Sequence, residues 1–413
     1  FTMKGNVIVG QSGGPTAVIN SSLAGVYRTA VDRGAKKVYG MLYGIQGLLD
    51  EQYVDLSKYI RSDLDVEILK RTPSAFLGTC RYKLPDIHEN QEIYVKIFEI
   101  LNKLNIECFI YIGGNDSMDT IKKLSDYAIL TGQSQKFVGV PKTIDNDLAL
   151  TDHTPGYGSA AKYIATSTKE VIRDGIGFSY KKQQVIIIEI MGRNAGWLTG
   201  AAALSRGEDC DGPDLIYLPE LTFDIEKFTA KVRKLLVKKD VVVVAVSEGI
   251  RIQDGRYVSE LGSASDYVDA FGHKQLTGTA SYLANVIHRD IGCKTRAVEF
   301  STLQRSAAHL ASRVDVNEAF MVGGAAVKAA DEGDSGKMVV IDRVSDDPYQ
   351  CATGIYDVHK IANGEKMVPR EWITKDGTYV TEEFIDYVRP LIQGDSPSVM
   401  VDGIPRHLYM GKK

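Results

Sequence analysis

Cysteine is scarce in this chain. Its five residues, Cys80, Cys108, Cys210, Cys293 and Cys351, are scattered and odd in number, which excludes a disulfide framework and points to a reducing, cytoplasmic compartment. Histidine is equally thin. Seven dispersed residues form no His-x-x-x-His pair, so no zinc site is expected, and any metal should be a hard cation held by carboxylates and phosphate. No block of lysine and arginine appears, and the formal net charge is −4; nothing marks a nucleic-acid surface. The longest apolar runs, such as Val241-Val242-Val243-Val244-Ala245-Val246, are too short to cross a bilayer, so no membrane partner is expected. No signal peptide is expected either. Phe1-Thr2 ahead of Met3 read as residues added before a natural start, which the intact mass of the native protein would check.

What is present is ordinary for a globular protein: 25% charged and 44% hydrophobic residues over 413 positions, enough for two or three domains with ample core. Apolar, β-branched runs alternate with helical stretches. Val7-Ile8-Val9 is followed by a helix from Ala17 to Arg33, a strand from Lys37 to Leu42, and a loop punctuated by Gly44 and Gly47. After a polar connection holding Leu77 to Lys83, a helix from Ile93 to Leu104 feeds a strand at Phe109. The rhythm restarts beyond Asp147, with a helix from Gly156 to Arg173 and strands at Gln184 to Ile190, Leu215 to Leu218 and the Val241 run. This predicts an α/β fold of two similar doubly wound, Rossmann-like domains, with parallel sheets and a shared cleft. The expected divisions are roughly 1–155 with about 306–360, and roughly 156–305 with about 361–413. Gly333-Asp334-Ser335-Gly336 before Lys337 to Ile341 reads as a hairpin, and the tail from Trp372 as mixed helix and loop.

Chemistry concentrates where strands end. Lys136 to Val140 is a short apolar strand that runs into Pro141-Lys142-Thr143-Ile144-Asp145-Asn146-Asp147. In an open α/β sheet, ligands bind at the carboxyl ends of strands. Asp145 and Asp147 are two apart and share a face if extended; each raises the other's cost of ionisation, so the pair wants a divalent cation or a substrate proton nearby. A polar turn capping the next helix would use the same residue types. Two more strand ends break the tie. Phe109 to Ile112 stops at Gly113-Gly114-Asn115-Asp116-Ser117, and Val7 to Val9 at Gly10-Gln11-Ser12-Gly13-Gly14-Pro15. Paired glycines between strand and helix let backbone N–H groups approach phosphate closely. In the second half, Met191-Gly192-Arg193 and Ser247-Glu248-Gly249 follow strands, while Lys294-Thr295-Arg296 and Gln304-Arg305 add cations. Arginine forks at Gly-rich strand ends suit a phosphorylated sugar, whose hydroxyl protons Glu248 could accept. A lone arginine is more often a solvated surface charge.

Together, Ser12-Gly13-Gly14, Gly113-Gly114-Asn115-Asp116, Pro141 to Asp147, Met191-Gly192-Arg193 and Leu303-Gln304-Arg305 resemble the phosphofructokinase family in order and spacing, from Val7 to Ala330. The resemblance implies phosphoryl transfer to the 1-hydroxyl of fructose 6-phosphate with Mg2+, by a homo-oligomer, a dimer or tetramer. It places the phosphate donor on the first division and the sugar on the second. Carried over residue by residue, Asp145 would be the general base, which must be ionised and within hydrogen-bond reach of the attacking hydroxyl. Asp147 would organise the magnesium or tune Asp145, with Asn115 and Asp116 as further metal contacts. Thr143 would donate to the transferring phosphoryl group, and Arg193 would neutralise its charge. Met191 and Gly192 would shape the sugar pocket, Glu248 would receive sugar hydroxyls, and Arg296 and Arg305 would grip the 6-phosphate. Gly13, Gly14, Arg81, Gly114, Asp116, Ser117 and Lys142 would face the donor.

Departures from the family pattern select a branch. Members that use ATP have Gly-Gly-Asp-Gly where this chain has Gly113-Gly114-Asn115-Asp116, and glycine where it has Lys142; Asp and Lys there resemble the pyrophosphate-dependent branch. A carboxylate at Asp116 would repel a nucleotide's α-phosphate: like charges ~4 Å apart at an effective dielectric of ~20 cost ~4 kcal/mol, roughly a thousandfold in binding. Lys142 could pair with Asp116 and reach the terminal phosphate of pyrophosphate. Pyrophosphate is therefore the expected donor, and the resemblance implies a reversible reaction serving glycolysis and gluconeogenesis. Asn115 replaces an acidic metal contact and Thr302 a sugar-site histidine. Gln184 stands at the arginine that crosses between subunits, with Lys181 or Lys182 as substitutes. Ala24 falls where bacterial allosteric members bind effectors, Arg28 being kept, so nucleotide-type allostery is expected to be lost. Three competing readings are an ATP-dependent phosphofructokinase, a non-catalytic regulatory subunit and a sugar-binding protein without chemistry. The intact carboxylates argue against the last two.

Overall fold

The computed structural model describes residues 3–262, 276–361 and 364–411; Phe1 and Thr2 lie outside them. In chain order the main strands are β1 (Asn6–Gln11), β2 (Val38–Met41), β3 (Tyr53–Asp55), β4 (Ile106–Gly113), β5 (Lys136–Pro141) and β6 (Gln184–Ile190). They continue with β7 (Leu215–Tyr217), β8 (Val241–Ser247), β9 (Lys294–Glu299), β10 (Lys337–Asp346) and β11 (Tyr349–Asp357). Two sheets result. The first runs β11-β10-β5-β4-β1-β2-β3 and the second β7-β8-β6-β9.

Near-continuous apolar runs demand cover on both faces, and alternation delivers it. Val7, Val9, Ile110, Val138 and Val339 pack on one side of the first sheet with Leu23 and Val322 of the helices Ile19–Asp32 and Arg313–Asp331. Ile8, Phe109, Phe137 and Val340 pack on the other with Tyr94, Phe98 and Met118 of the helices Gln91–Lys103 and Asn115–Thr131. The second sheet divides likewise: Ile186 and Ile188 face one cluster, while Val185 and Ile187 face Phe228 and Leu283. The inner strands are parallel, and only the edge strands β3 and β11 of the first sheet run antiparallel to their neighbours. The doubly wound α/β architecture expected from the sequence is the observed one.

Two local expectations need correction. Gly333 to Gly336 make no hairpin; they carry the chain from the helix Arg313–Asp331 into β10, with Gly333 and Gly336 at φ 104° and 66°. Glycine in the left-handed region is also how helices end, and that use of the signal wins here. The hairpin comes later, where β10 turns through Asp347-Pro348 into β11. The tail supplies the helix Glu382–Val388, whose Phe384 stacks on Trp197 with ring centroids 5.8 Å apart, and a short hairpin pairing Met400–Val401 with Ile404–Pro405. Among the described residues, no helix is long and apolar enough to cross a membrane.

Candidate active site

The carboxyl ends of β1 and β5 face those of β6, β8 and β9 across a cleft of about 740 Å³. In the first sheet β1 and β4 are neighbours whose following strands lie on opposite sides, which opens a crevice between their ends. Gly13, at φ 77°, turns the chain there, and its N–H donates to Cys80 O at 3.0 Å, tying in the loop that carries Arg81. Three cations then converge on Gly14. Lys142 Nζ donates to Gly14 O at 2.6 Å, and a Cβ on Gly14 would lie 3.4 Å from Arg305 Nη1 and 3.6 Å from Arg81 Nη2. Burial, then the neighbouring Arg81, pushes the Lys142 ammonium down to about 8 against the pull of Asp145 and Asp147. Cations held this close repel one another, and a multiply charged phosphate relieves that repulsion.

The stretch Lys142 to Asp147 follows β5. Lys142 N–H bonds Gly113 O, and Thr143 N–H bonds Pro155 O. Asn146 sits in the left-handed region at φ 55°. Its Oδ1 accepts Thr154 N–H at 3.0 Å, and its Nδ2 donates to Tyr387 OH at 2.8 Å. Asp145 and Asp147 thus both line the cleft through a left-handed turn, not through the extended spacing that the sequence suggested. Thr143 Oγ1 accepts Asp145 N–H at 3.0 Å. Burial pushes the Asp145 carboxyl up; Lys142 opposes this and Glu365 adds to it. Burial, then Asp145 and Glu365, pushes Asp147 up to about 7. Two carboxylates in one confined pocket hold protons more tightly than either would alone.

Across the cleft, Gly192 takes φ 121°, a conformation other residues resist, and its N–H donates to Glu248 Oε1 at 3.2 Å. Gly249 lets β8's loop pass: a Cβ there would lie 1.8 Å from Arg193 O. Met191 N–H donates to Gln304 Oε1 at 3.1 Å, which fixes the Arg305 turn against β6. Burial, then Asp145, pushes the Glu248 carboxyl up to about 8. Near neutrality that group can both donate to and accept from a sugar hydroxyl.

Gly14, Arg81, Lys142, Thr143, Asp145, Asp147, Met191, Arg193, Glu248 and Arg305 therefore share one lining, together with Thr302. Other expected residues stand apart. Asn115, Asp116 and Ser117 open the helix after Gly114 but do not line the cleft: Asp116 is exposed, Ser117 is buried, and Asn115 Oδ1 is buried without a hydrogen-bond partner. The expected pairing of Lys142 with Asp116 is not formed, because Lys142 turns to Gly14 O while Asp116 faces solvent. Arg296 is exposed on the edge strand β9, outside the cleft. Gln184 is buried with Nε2 on Gly175 O at 2.7 Å, so it cannot reach outward, whereas Lys181 and Lys182 are exposed. Ala24 is buried, and Arg28 pairs with Asp63 on the surface.

Sequence reasoning missed three lining carboxylates, Glu189, Glu299 and Glu365. Glu189 had a signal, a lone carboxylate inside an apolar strand; it accepts Ala280 N–H at 3.0 Å, and burial pushes it up to about 7. Glu365 had none. It lies in an irregular segment, and its Oε1 accepts from Asn194 Nδ2 at 3.3 Å. Among the described residues, no three of His, Cys, Asp and Glu gather closely enough to hold a metal unaided.

A family model for phosphofructokinase matches residues 6–330. The chain belongs to the phosphofructokinase family. It is 43% identical over 408 residues to the pyrophosphate–fructose 6-phosphate 1-phosphotransferase of Xanthomonas campestris pv. campestris, covering 98% of this chain and 96% of that protein. It is 40% identical to the Halomonas elongata protein of the same name, with the same coverage of both chains. The solved pyrophosphate-dependent phosphofructokinase of Nitrosospira multiformis matches it with a TM-score of 0.88 at 37% identity, over 98% of this chain and 95% of that one. In this phosphofructokinase the family match ends at residue 330, so Glu365 and Tyr387 lie beyond it.

Proposed function

We propose that this phosphofructokinase transfers a phosphoryl group from inorganic pyrophosphate to the 1-hydroxyl of fructose 6-phosphate, giving fructose 1,6-bisphosphate and phosphate. The reaction is reversible, needs Mg2+, and serves glycolysis and gluconeogenesis in the cytoplasm. The observation that carries this reading is the convergence of Lys142 and Arg81 on Gly14, beside Asp145. A compact pyrophosphate suits such a cluster, and the full-length relatives named above support it as donor.

Residues 1–155 with about 306–360 hold the donor, and 156–305 with about 361–413 hold the sugar. Gly13, Gly14, Gly114 and Ser117 shape the donor loops, and Asp116 guards their mouth against a nucleotide's α-phosphate. Asp145 removes the proton from the 1-hydroxyl as its oxygen attacks phosphorus. Thr143 donates to the phosphoryl group in transit, and Arg193 balances its charge. Met191, Gly192 and Glu248 hold the sugar, and Arg305 takes its 6-phosphate. Arg296, exposed on β9, reaches a 6-phosphate only in the cleft of another copy, which fits a homodimer. Asp147 offers magnesium a carboxylate in the cleft; Asn115, with its unpartnered buried Oδ1, and Asp116 stand outside the lining and would reach the ion through water and phosphate oxygens. Bound there, it would neutralise charge on the phosphates.

Donor assays test the reading. The wild type should phosphorylate fructose 6-phosphate with pyrophosphate and not with ATP, and Asp116→Gly with Lys142→Gly should lose pyrophosphate use. Equal rates with both donors would sink it. Asp145→Asn should cut turnover by ~10² or more with sugar binding nearly unchanged.

A further inference from the structure

The tail beyond the family match does more than fill space. Residues 364–368 run beside the Asp145-Asn146-Asp147 turn, where Glu365 bridges Leu148 and Lys366 N–H donates to Asp147 O at 2.8 Å. Lys366 Nζ then donates to Thr151 O at 3.1 Å, to Asp152 O, and to Tyr387 OH at 3.4 Å. Trp197 Nε1 donates to Lys366 O at 2.9 Å, which ties the segment to the sugar-side core. Tyr387 closes the bracket. Its ring packs on Trp197 with centroids 5.2 Å apart, while its O–H donates to Asp152 O at 2.5 Å and accepts from Asn146 Nδ2 at 2.8 Å.

Asn146 is the residue between the two carboxylates, and its backbone is left-handed, at φ 55°, a region that asparagine tolerates better than most residues but less freely than glycine. Such a conformation persists where the surroundings over-determine it. The surroundings here are Thr154 on one side of the amide and Tyr387 on the other. Ring packing alone does not account for Tyr387, since phenylalanine would stack equally well; the hydroxyl is the part that reaches Asn146.

We propose that Tyr387 and Lys366 are positioning residues for phosphoryl transfer, holding the Asp145-Asn146-Asp147 turn in the form that presents both carboxylates to the cleft. The inference rests on Asp145 being the base. Neither residue is part of the cleft lining, so their loss should misplace the base without weakening the grip on either phosphate.

Tyr387→Phe keeps the ring and deletes the link. Turnover should fall about tenfold, because small misplacements of a reacting group are costly, while KM for fructose 6-phosphate and for pyrophosphate stays within about twofold and the melting temperature barely moves. Lys366→Met should give the same split between turnover and KM through a different bond, with a lower melting temperature as the oxygens of Thr151 and Asp152 lose their donor. Asn146→Gly supplies the rescue: glycine adopts the left-handed turn unaided, so in that background Tyr387→Phe should change turnover by less than about twofold. Wild-type turnover in Tyr387→Phe would overturn the proposal, and so would KM values that rise with it, or loss of folding in both single variants. Asp145→Asn separates the two claims. If it stays active, the base assignment itself falls; if it is dead while Tyr387→Phe is fully active, only the positioning role falls.

Discussion

Lys142 is buried and Lys366 half-buried, and desolvation pushes both ammonium groups down to about 8, yet their neighbours differ in kind. Lys366 is wrapped by the carbonyls of Thr151 and Asp152, the Tyr387 hydroxyl, and the ring faces of Trp197 and Tyr387 at 5.3 and 5.6 Å. Lys142 donates to Gly14 O and otherwise looks onto a cleft wall shared with Arg81 and Arg305. A cation surrounded by acceptors and π-faces is already satisfied. A cation set beside two others is poised for an anion. Desolvation and a depressed pKa are common to both, so only the company each lysine keeps separates a structural role from a functional one.

Removing each charge breaks the comparison most sharply. Lys142→Met should lower kcat/KM for pyrophosphate by roughly a thousandfold, the worth of one charge at ~4 Å and an effective dielectric of ~20. It should leave the melting temperature nearly unchanged, because Lys142 Nζ gives a single hydrogen bond, to Gly14 O, against the three that Lys366 Nζ gives. Lys366→Met should instead cost stability, a loss of about 2–4 kcal/mol as buried oxygens lose their donor. A Lys142→Met protein that melts earlier but still uses pyrophosphate would end the distinction. The pH dependence sharpens it. Lys142 is protonated below about 8, so kcat/KM for pyrophosphate should fall as pH rises through that value, and the limb should vanish in Lys142→Met. Both lysines titrate lower in the native than in the unfolded chain. Between about 8 and about 10.4 the unfolded chain therefore binds more protons, and stability rises with pH.

The same contrast divides the carboxylates. Asp145 and Asp147 are pushed up in the cleft, whereas Asp152 and Glu318 lie below the usual range. Burial alone would raise the latter two, but His153 outweighs it, with Nδ1 and Nε2 each 2.7 Å from a carboxylate oxygen. Burial would lower His153 in turn, but Glu318 and then Asp152 hold it up. A raised histidine stabilises fully below its unfolded value of about 6.5 and loses that as pH climbs through the native value. The lowered carboxylates stabilise above about 4.5 and lose that as pH falls through their native values. The triad should thus contribute most between about pH 4.5 and 6.5. His153→Gln should lose about 3 kcal/mol at pH 6, since Glu318 would be left a buried, uncompensated charge. An unchanged melting temperature at that pH would dissolve the contrast.

Legibility in the sequence followed the same line between local and distant. Strand ends were readable because each couples an apolar run to Gly or Asp within a few residues, as at Gly13, Gly113 and Asp145. Partners across space were not. The sequence offered Asp116 to Lys142, but the turn at Gly13 presents a backbone oxygen instead. The contact of Asn146 with Tyr387, and of Tyr387 with Lys366, had no local signature, because Lys366 lies on irregular backbone and Tyr387 in a helix of seven residues, far from Asn146 in the chain. The Gly333 to Gly336 misreading shows the converse: a strong local signal, shared by two kinds of turn.

Glu365 gives the smallest effect and the sign opposite to Lys142. Its exposed carboxylate adds negative charge to a cleft that must accept anions, near Asp145 and Asp147. Glu365→Gln should therefore ease donor binding and lower KM for pyrophosphate by about two- to threefold at low ionic strength, since solvent screens an exposed charge. The gain should fade by ~0.15 M salt, where the Debye length is ~8 Å. The Lys142→Met defect should survive the same salt, because a buried charge is screened far less. Titrating both variants with salt separates a rim charge from a wall charge. A hundredfold loss in Glu365→Gln would instead mean that this carboxylate grips substrate or metal directly.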